Sequence, residues 1–252
     1  MILRSVLRVN AVRLFSHYTR DTDKYWTVGS EKNTDIDILF TTRLWGSSAD
    51  SPGGMVQNDL LGYGDCWGDA PDCDERNRER IECVREIRHA FGKRRIVCGI
   101  ADSALARKLC PDLILPRHVT ARSNYRRILR RVKVCIANTG LWGSIGGRFA
   151  EYVSAGKAIV CNRFRYAVPG EFGEGRNYLT FKDKDELTAH CEWLLTHKKE
   201  AHRMALNNVW YHRNYVRPDV LVLNTLLTVL NGRKSVDFAG EKNRAGDETA
   251  SF

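Results

Sequence analysis

Four residues in the middle of the chain combine side-chain types that suit a phosphorylated ligand. Gly146, Gly147, Arg148 and Glu151 lie where the apolar run "KVCIAN" gives way, through a short loop, to the helical pattern "RFAEYVSAG". The amino end of a helix carries unpaired N–H groups and a positive dipole, both of which favour phosphate. Glycines let a ligand approach the backbone, arginine offers a forked donor, and a carboxylate accepts hydrogen bonds from sugar hydroxyls. The pattern predicts a diphosphate cradle beside a ribose, with Ser144 in the same loop.

Spacing alone leaves a second interpretation open. Glu151 is equally compatible with a solvated helix position, and Arg148 with a neighbouring surface side chain. The glycine-rich turn matches neither the dinucleotide-binding fingerprint nor the P-loop pattern. A role for these residues therefore depends on the elements that position them.

From Asp35 onward, strand-like and helical segments alternate. Apolar runs rich in β-branched residues predict strands over 35–45, 94–100, 112–116, 133–140, 157–162 and 177–181. Helical patterns cover 75–92, 102–110, 121–132 and 148–156, and three more helices follow, one capped by Asp183 with Glu186 and one beginning at Pro218. This order predicts an α/β fold: a Rossmann-like parallel sheet with helices on both faces, plus C-terminal helices.

In such a sheet, ligands bind beyond the carboxyl ends of the strands, where the strand order reverses. The loops expected on that side follow Arg43, Ile100, Pro116, Asn138 and Asn162.

Two of these loops hold further candidates. His118 is the only histidine in a ligand-side loop and is the first general base to test, although an ordinary surface histidine is the alternative. Tyr166, Pro169 and Glu171 follow the strand that ends at Asn162, and these residues are candidates for contact with a donor sugar. A simple turn at "VPG" is the other interpretation.

The charge of the chain favours an anionic partner. The 252 residues carry a formal net charge of +10, which suits a phosphorylated molecule, nucleic acid or an acidic membrane surface. The most basic stretch, "RSNYRRILRRVK", forms a helix with one apolar face, made by Tyr125, Ile128, Leu129 and Val132. Its arginines are therefore expected on the opposite, solvent-exposed face. We therefore expect no nucleic-acid partner, and membrane-surface association stays open.

The cysteines do not form a metal-binding pattern. Cys98, Cys135 and Cys161 lie inside apolar runs, where cysteine behaves as a small buried hydrophobe. Cys66 and Cys73 are too far apart for a structural zinc hairpin. We expect no metal site, and scattered cysteines suit a reducing cytoplasm.

The pattern divides the chain into three parts. Residues 1–34 are expected to form a hinge or linker, 35–232 a Rossmann-like nucleotide-binding domain, and 233–252 a disordered tail. The arginine-rich, acid-free start is compatible with a mitochondrial transit peptide or with an amphipathic surface segment. No apolar run approaches the roughly 20 residues needed to span a bilayer.

The stretch "GGRFAEYVSAGKAIVCN", with "YAVPGEFGEGRNYLTF" and "DKDELTAHCEWLL", resembles the C-terminal, donor-binding domain of GT-B glycosyltransferases. The likeness is to the group-1 and spore-maturation-like bacterial types, and it runs from about Asp35 to Leu230. In that family a glutamate early in this helix contacts the nucleotide ribose, which corresponds to Glu151. Gly156 and Lys157 correspond to the structural end of the motif.

The resemblance implies a glycosyltransferase, or its donor-binding half, that uses a nucleotide-diphosphate sugar and needs no metal. The helix N-terminus, Arg148 and Arg43 would then meet the charge of the leaving diphosphate. Two positions depart from the family pattern: Gly143 stands where many members carry a second glutamate, and Arg43 replaces a lysine. No catalytic residue is identified.

The resemblance also implies an acceptor domain for which the first 34 residues are too few. Either the chain is a fragment or the acceptor domain is a separate polypeptide. The acceptor would be a glycan or lipid-linked molecule, with the protein cytoplasmic or peripheral at the inner face of the membrane. A non-catalytic nucleotide-binding module or subunit is the alternative.

Overall fold

The computed structural model describes residues 34–45, 73–140, 143–168 and 170–230, with the backbone alone for 228–230. The predicted tail and, apart from Thr34, the predicted hinge lie outside these residues. Cys66 and Pro169 lie outside them as well.

Within the described residues, a five-stranded parallel sheet has the order β2-β1-β3-β4-β5. Its strands are β1 (Ile36–Thr42), β2 (Ile96–Ile100), β3 (Val132–Ala137), β4 (Ala158–Asn162) and β5 (Leu179–Phe181). Chain order and spatial order diverge between β1 and β3, because β2 lies on one side of β1 and the later strands on the other. That pair of strands is the switch point of the sheet.

The described helices connect these strands and close the domain. They are α1 (Cys73–Phe91), α2 (Ala104–Leu109), α3 (Arg117–Thr120), α4 (Arg122–Arg130), α5 (Gly147–Ser154), α6 (Lys184–Thr196), α7 (Lys198–Tyr211) and α8 (Pro218–Leu230). A π-helical segment, His212–Val216, joins α7 to α8.

The two faces of the sheet carry separate apolar cores. On one face, Ile38, Phe40, Val134 and Ile136 pack in a cluster with apolar residues of α1 and α6. On the other, alternate strand residues pack in a cluster with α4, α5 and Tyr211 of α7. Alternation along buried strands requires two covered faces, so the predicted Rossmann-like α/β fold is confirmed.

Buried cysteines contribute to both cores. Cys98, Cys135 and Cys161 are each no more than 5% exposed. Burial raises the pKa of the Cys98 and Cys135 thiols to about 12, so both remain neutral small hydrophobes as predicted.

Several predicted boundaries are confirmed. Helix α1 ends at Phe91, directly before Gly92, and α8 begins at Pro218. The Asp183 carboxylate accepts from the Glu186 N–H at 2.9 Å and caps α6. Glu186 reaches back to the Lys182 N–H at 3.0 Å, one residue earlier than a standard capping box requires.

Two local predictions are wrong. Residues 112–116 do not form a sheet strand: Pro111–Leu113 form a 3₁₀ turn, and only an isolated bridge joins Ile114 to Ile100. The proline and the tight turn leave too few extended residues to form a ladder.

Asp102 does not open α2. The cap is Ser103, which accepts from the Ala106 N–H at 3.1 Å. Asp102 instead binds the guanidinium groups of Arg107 and Arg117.

Helix α8 is apolar and weakly covered. Leu221, Val222, Leu223, Leu226 and Leu227 are each 44–54% exposed. No helix among the described residues is long and apolar enough to cross a membrane.

Candidate functional site

A cavity of about 530 Å³ lies at the carboxyl edge of the sheet, at the switch point. Its walls come from the exits of β1, β2 and β3, from α1 and α3, and from the amino end of α5. This is where a doubly wound sheet offers its ligand crevice. The cavity therefore lies at the edge of the sheet that the sequence predicted.

The amino end of α5 opens onto this cavity. Gly146, in the N-cap position, has extended backbone angles (φ −73°, ψ 151°), and no side chain caps the helix. A Cβ added to Gly147 would meet no atom within 4 Å, so the protein itself does not require glycine there. Both glycines line the cavity, which leaves the helix terminus accessible to an anionic group.

Arg148 is held by two neighbouring side chains. Its guanidinium lies 3.9 Å from the centre of the Tyr125 ring and donates to Glu151 over 3.4 Å. Tyr125 is itself 3% exposed and fixed in the core by α4. A guanidinium has five N–H groups, so donors remain for a further acceptor.

Arg43 and Arg80 occupy the β1 side of the cavity. Arg43 follows β1 and is exposed, whereas Arg80 on α1 is only 6% exposed. Arg80 donates to the Arg43 carbonyl at 2.6 Å and to the Thr139 carbonyl at 2.8 Å. One side chain therefore ties together the exits of β1 and β3.

The residues lining the cavity are net positive. Four arginines (43, 80, 117 and 148) face two acids, Asp102 and Glu151. A hydrogen bond from Arg107 holds the pKa of Asp102 below its ordinary value, with Arg117 adding to the effect. Asp102 is therefore an ionised, ion-paired residue, and the cavity as a whole favours an anion.

The structure brings most of the predicted site residues together. Gly146, Gly147, Arg148, Glu151 and Arg43 all line the one cavity.

Ser144 does not join them: it is exposed, and its hydroxyl lies against Gly140, where an added Cβ would come within 2.4 Å. His118, Tyr166 and Glu171 are exposed and are not among the described residues lining the cavity. Glu171 is ion-paired with Arg176.

Sequence reasoning missed Arg80. In α1 the buried positions Asn77, Arg80, Val84, Ile87 and Phe91 follow one helical stripe. Two polar residues extending an apolar stripe are a detectable signal, since buried polar groups need partners. Asp102, Arg117 and Thr120 also line the cavity; they follow Ile100 and Pro116, after which the sequence predicted ligand-side loops, but none of the three was predicted as a site residue.

The residues at the end of the α5 motif are structural. Gly156 has a positive φ of 58°, and the Lys157 ammonium donates to the carbonyls of Arg130 and Val132 at 3.1 and 3.0 Å. Burial lowers the pKa of Lys157. Lys157 also lines a smaller cavity of about 160 Å³ at the opposite edge of the sheet, away from the predicted site.

Gly143 has a backbone conformation that favours glycine. Its φ is +71°, and an added Cβ would come within 2.8 Å of the Arg165 Cβ. Any side chain at this position would therefore be strained.

No group of three or more metal-ligating side chains comes together among the described residues.

The model of a family described as "Glycosyl transferase-like" matches residues 66–216, more than half of the chain. No curated protein sequence gives a significant match. Similar solved structures include those of HepE from Anabaena in complex with UDP (13% identity) and with UDP-glucose (12% identity), each with a TM-score of 0.42. The matches cover 83% of this chain and 54% of HepE, so the chain spans about half the length of that protein.

Proposed function

We propose, because this chain belongs to the glycosyl transferase-like family, that it binds the nucleotide-diphosphate sugar of a glycosyl transfer in the cavity between β1 and β3. The family match agrees with the resemblance of the α5 region to a glycosyltransferase domain. The chain is then the donor-binding half of a glycosyltransferase that moves a hexose to a glycan or lipid-linked acceptor. Its acceptor-binding domain would be a separate polypeptide or a further part of a longer protein.

One observation carries this proposal. The uncapped amino end of α5, with open space above Gly147, lies in the same cavity as Arg43, Arg148 and Glu151. N–H groups and arginines suit the diphosphate, and the carboxylate of Glu151, one turn into the helix, suits ribose hydroxyls. The same donors would stabilise the charge that develops on the diphosphate as the sugar leaves.

A second candidate is a non-catalytic nucleotide-binding module. It is favoured by the chemistry of the cavity: no histidine is among the described residues that line it, and both of its acids are ion-paired. A general base needs an unengaged group near the reacting atom. If the chain is the donor-binding half of a glycosyltransferase, the acceptor domain supplies that group. If the chain is a non-catalytic module, no base is needed.

Ligand titration tests whether the chain binds a nucleotide, as the proposal requires. The purified chain should bind at least one of UDP, GDP and ADP, measured by calorimetry. Glu151→Ala should weaken that binding roughly ten- to a hundredfold, the value of a charged hydrogen bond. It should leave the affinity for inorganic pyrophosphate unchanged or higher, because pyrophosphate has no ribose.

Glu192→Ala is the matched control, since Glu192 on α6 is ion-paired with Arg94, has a side chain as exposed as that of Glu151, and lies outside the cavity. If Glu151→Ala binds the nucleotides as tightly as the parent, the ribose assignment is wrong. The same titration with a chelator should give unchanged affinity, as expected for metal-independent binding, and a clear loss would overturn that expectation.

The proposal extends to location. We propose a cytoplasmic protein with peripheral attachment to an anionic membrane surface, supported by the net charge of +10 and the exposed arginines 122, 127 and 130 of α4. Salt-sensitive binding to vesicles containing anionic lipid, absent with neutral vesicles, would support attachment.

A further inference from the structure

We infer that Arg80 is a positioning residue for the proposed donor site, an inference that rests on the proposed function. Arg80 is buried in α1 and contacts both strand exits at the switch point. It acts by fixing the distance between the two walls of the cavity.

The first step concerns the geometry of the two bonds. The two terminal nitrogens of one planar guanidinium each donate to a different carbonyl, Nη1 to Arg43 and Nη2 to Thr139. The Arg43 and Thr139 carbonyls belong to chain segments that leave β1 and β3, the strands flanking the crevice. Lysine has the charge but only one nitrogen on a flexible stem, so it holds two carbonyls less rigidly than the planar fork of arginine does.

The second step concerns the groups attached to the two chain segments that contain these carbonyls. The Arg43 backbone bears the exposed guanidinium on one wall. The segment after Thr139 leads through Gly140 to Gly146 and the amino end of α5 on the other wall. A shift at either carbonyl therefore moves a group proposed to contact the diphosphate.

The third step is that neighbouring α1 residues secure the same exits. Asn77 exchanges two hydrogen bonds with the Trp45 backbone, at 2.8 and 2.7 Å. Glu79 accepts from the Asn162 amide, whose oxygen in turn accepts from the Thr139 N–H. One end of α1 thus contacts the exits of β1, β3 and β4, and the Arg80 side chain joins the β1 and β3 exits directly.

The chain offers a matched control on the same helix. Arg88, about two turns later, donates to the carbonyls of Cys98, Asp112 and Leu113, and it does not line the cavity. Arg88→Lys and Arg80→Lys therefore remove the same kind of bond between a guanidinium and backbone carbonyls. Both variants should lower thermal stability, so a stability change alone does not distinguish them.

The experiment compares ligand affinity and backbone exchange in these two variants. Arg80→Lys should weaken binding of the nucleoside diphosphate (UDP, GDP or ADP) that the parent prefers by roughly tenfold, and Arg88→Lys should stay within about twofold. Without ligand, hydrogen exchange over residues 41–45 and 138–148 should accelerate in Arg80→Lys and not in Arg88→Lys.

A double-mutant cycle with Arg43→Ala separates positioning from direct contact. If Arg80 acts through Arg43, the loss in the double variant should be smaller than the product of the two single losses. Multiplicative losses would overturn action through Arg43 and leave only the wall that carries α5. Unchanged exchange over residues 41–45 and 138–148 would overturn the positioning role as a whole.

Failure of the proposed function is distinguishable. A parent chain that binds none of the nucleotides refutes the donor site, whereas the exchange comparison still decides whether Arg80 holds the two strand exits.

Discussion

At the scale of single residues, most charged side chains of the cavity have partners within the protein. Arg148 contacts Tyr125 and Glu151, and Asp102 is ion-paired with Arg107 and Arg117. The Arg80 guanidinium donates to two backbone carbonyls. Such mutual contacts hold side chains in place before a ligand arrives, which lowers the entropy lost on binding. Gly147 differs, because nothing in the protein occupies the space above it.

That open space gives the first prediction at this scale. A methyl group in Gly147→Ala meets no protein atom, and alanine is the better helix former, so stability should be unchanged or slightly raised. If a diphosphate packs against this backbone, the methyl group overfills the contact and affinity for it should fall about tenfold. Thermal unfolding and calorimetric titration with UDP, GDP and ADP measure the two effects.

Gly173→Ala is the control for this prediction. Gly173 also has no atom within 4 Å of an added Cβ, and it lies outside the cavity. Equal nucleotide affinities in Gly147→Ala and the parent would show that no ligand approaches α5 closely.

At the scale of elements, the sequence predicts what is local and repeated. Long apolar runs, such as those around Cys98, Cys135 and Cys161, are strands because β-branched residues and covered faces leave few alternatives. Gly92 and Pro218 mark helix boundaries through backbone constraints that neighbours rarely override. The short run at 112–116 failed because a proline-initiated turn competes with only five residues of strand pattern.

The residues of the candidate site show the same contrast between local and long-range signals. Those on α5 were predicted because a helix terminus, two glycines and an arginine occur in one stretch. Arg80 reaches the cavity from α1, which is distant in sequence from α5, and only the strand order brings it there. Such long-range placement depends on which strands pair, which the local pattern does not specify.

The junction between α7 and α8 carries a prediction about pH. His212, in the π-helical segment, is 4% exposed, and burial, with Arg217 and Arg213 opposing protonation and Asp219 favouring it, lowers its pKa to about 4. The unfolded chain, with a pKa near 6.5, binds more protons between these values. Stability from this group is therefore complete above about pH 6.5 and should decline by roughly 1–3 kcal/mol as the pH falls towards 4.

Urea unfolding at pH 7.5 and pH 5 measures this effect. His212→Gln should show a smaller drop in unfolding free energy between the two pH values than the parent. His202→Gln, an exposed histidine on α7, should show the parent's drop. A parent-like pH dependence in His212→Gln would mean that other groups control acid sensitivity here.

At the scale of the whole molecule, two surfaces have a chemistry that favours a binding partner. The cavity holds an excess of arginines at the edge of a single sheet. Helix α8 exposes five large apolar side chains between 221 and 227. A helix that is apolar on most sides is ordinarily covered, so we expect α8 to pack against another folded unit.

Glycosyl transfer should therefore require more than this chain. Supplied with the UDP-, GDP- or ADP-sugar that it binds and with an acceptor, the purified 252-residue chain should bind the donor and transfer sugar negligibly. Transfer needs an oriented acceptor hydroxyl and a site closed to water, and the described residues of the cavity include neither an unengaged base nor a domain that closes over it. Labelled-sugar incorporation is the measurement.

Adding a polypeptide that carries an acceptor-binding domain should restore transfer, and α8 tests how it docks. Leu226→Glu should abolish the restored transfer while leaving nucleotide affinity intact, because it places a charge on the exposed apolar face. Leu109→Glu, at a comparably exposed leucine on α2, should leave transfer near the parent level. If the chain alone transfers sugar efficiently, the half-enzyme proposal fails, and the base must lie on this chain, with His118 the first residue to replace.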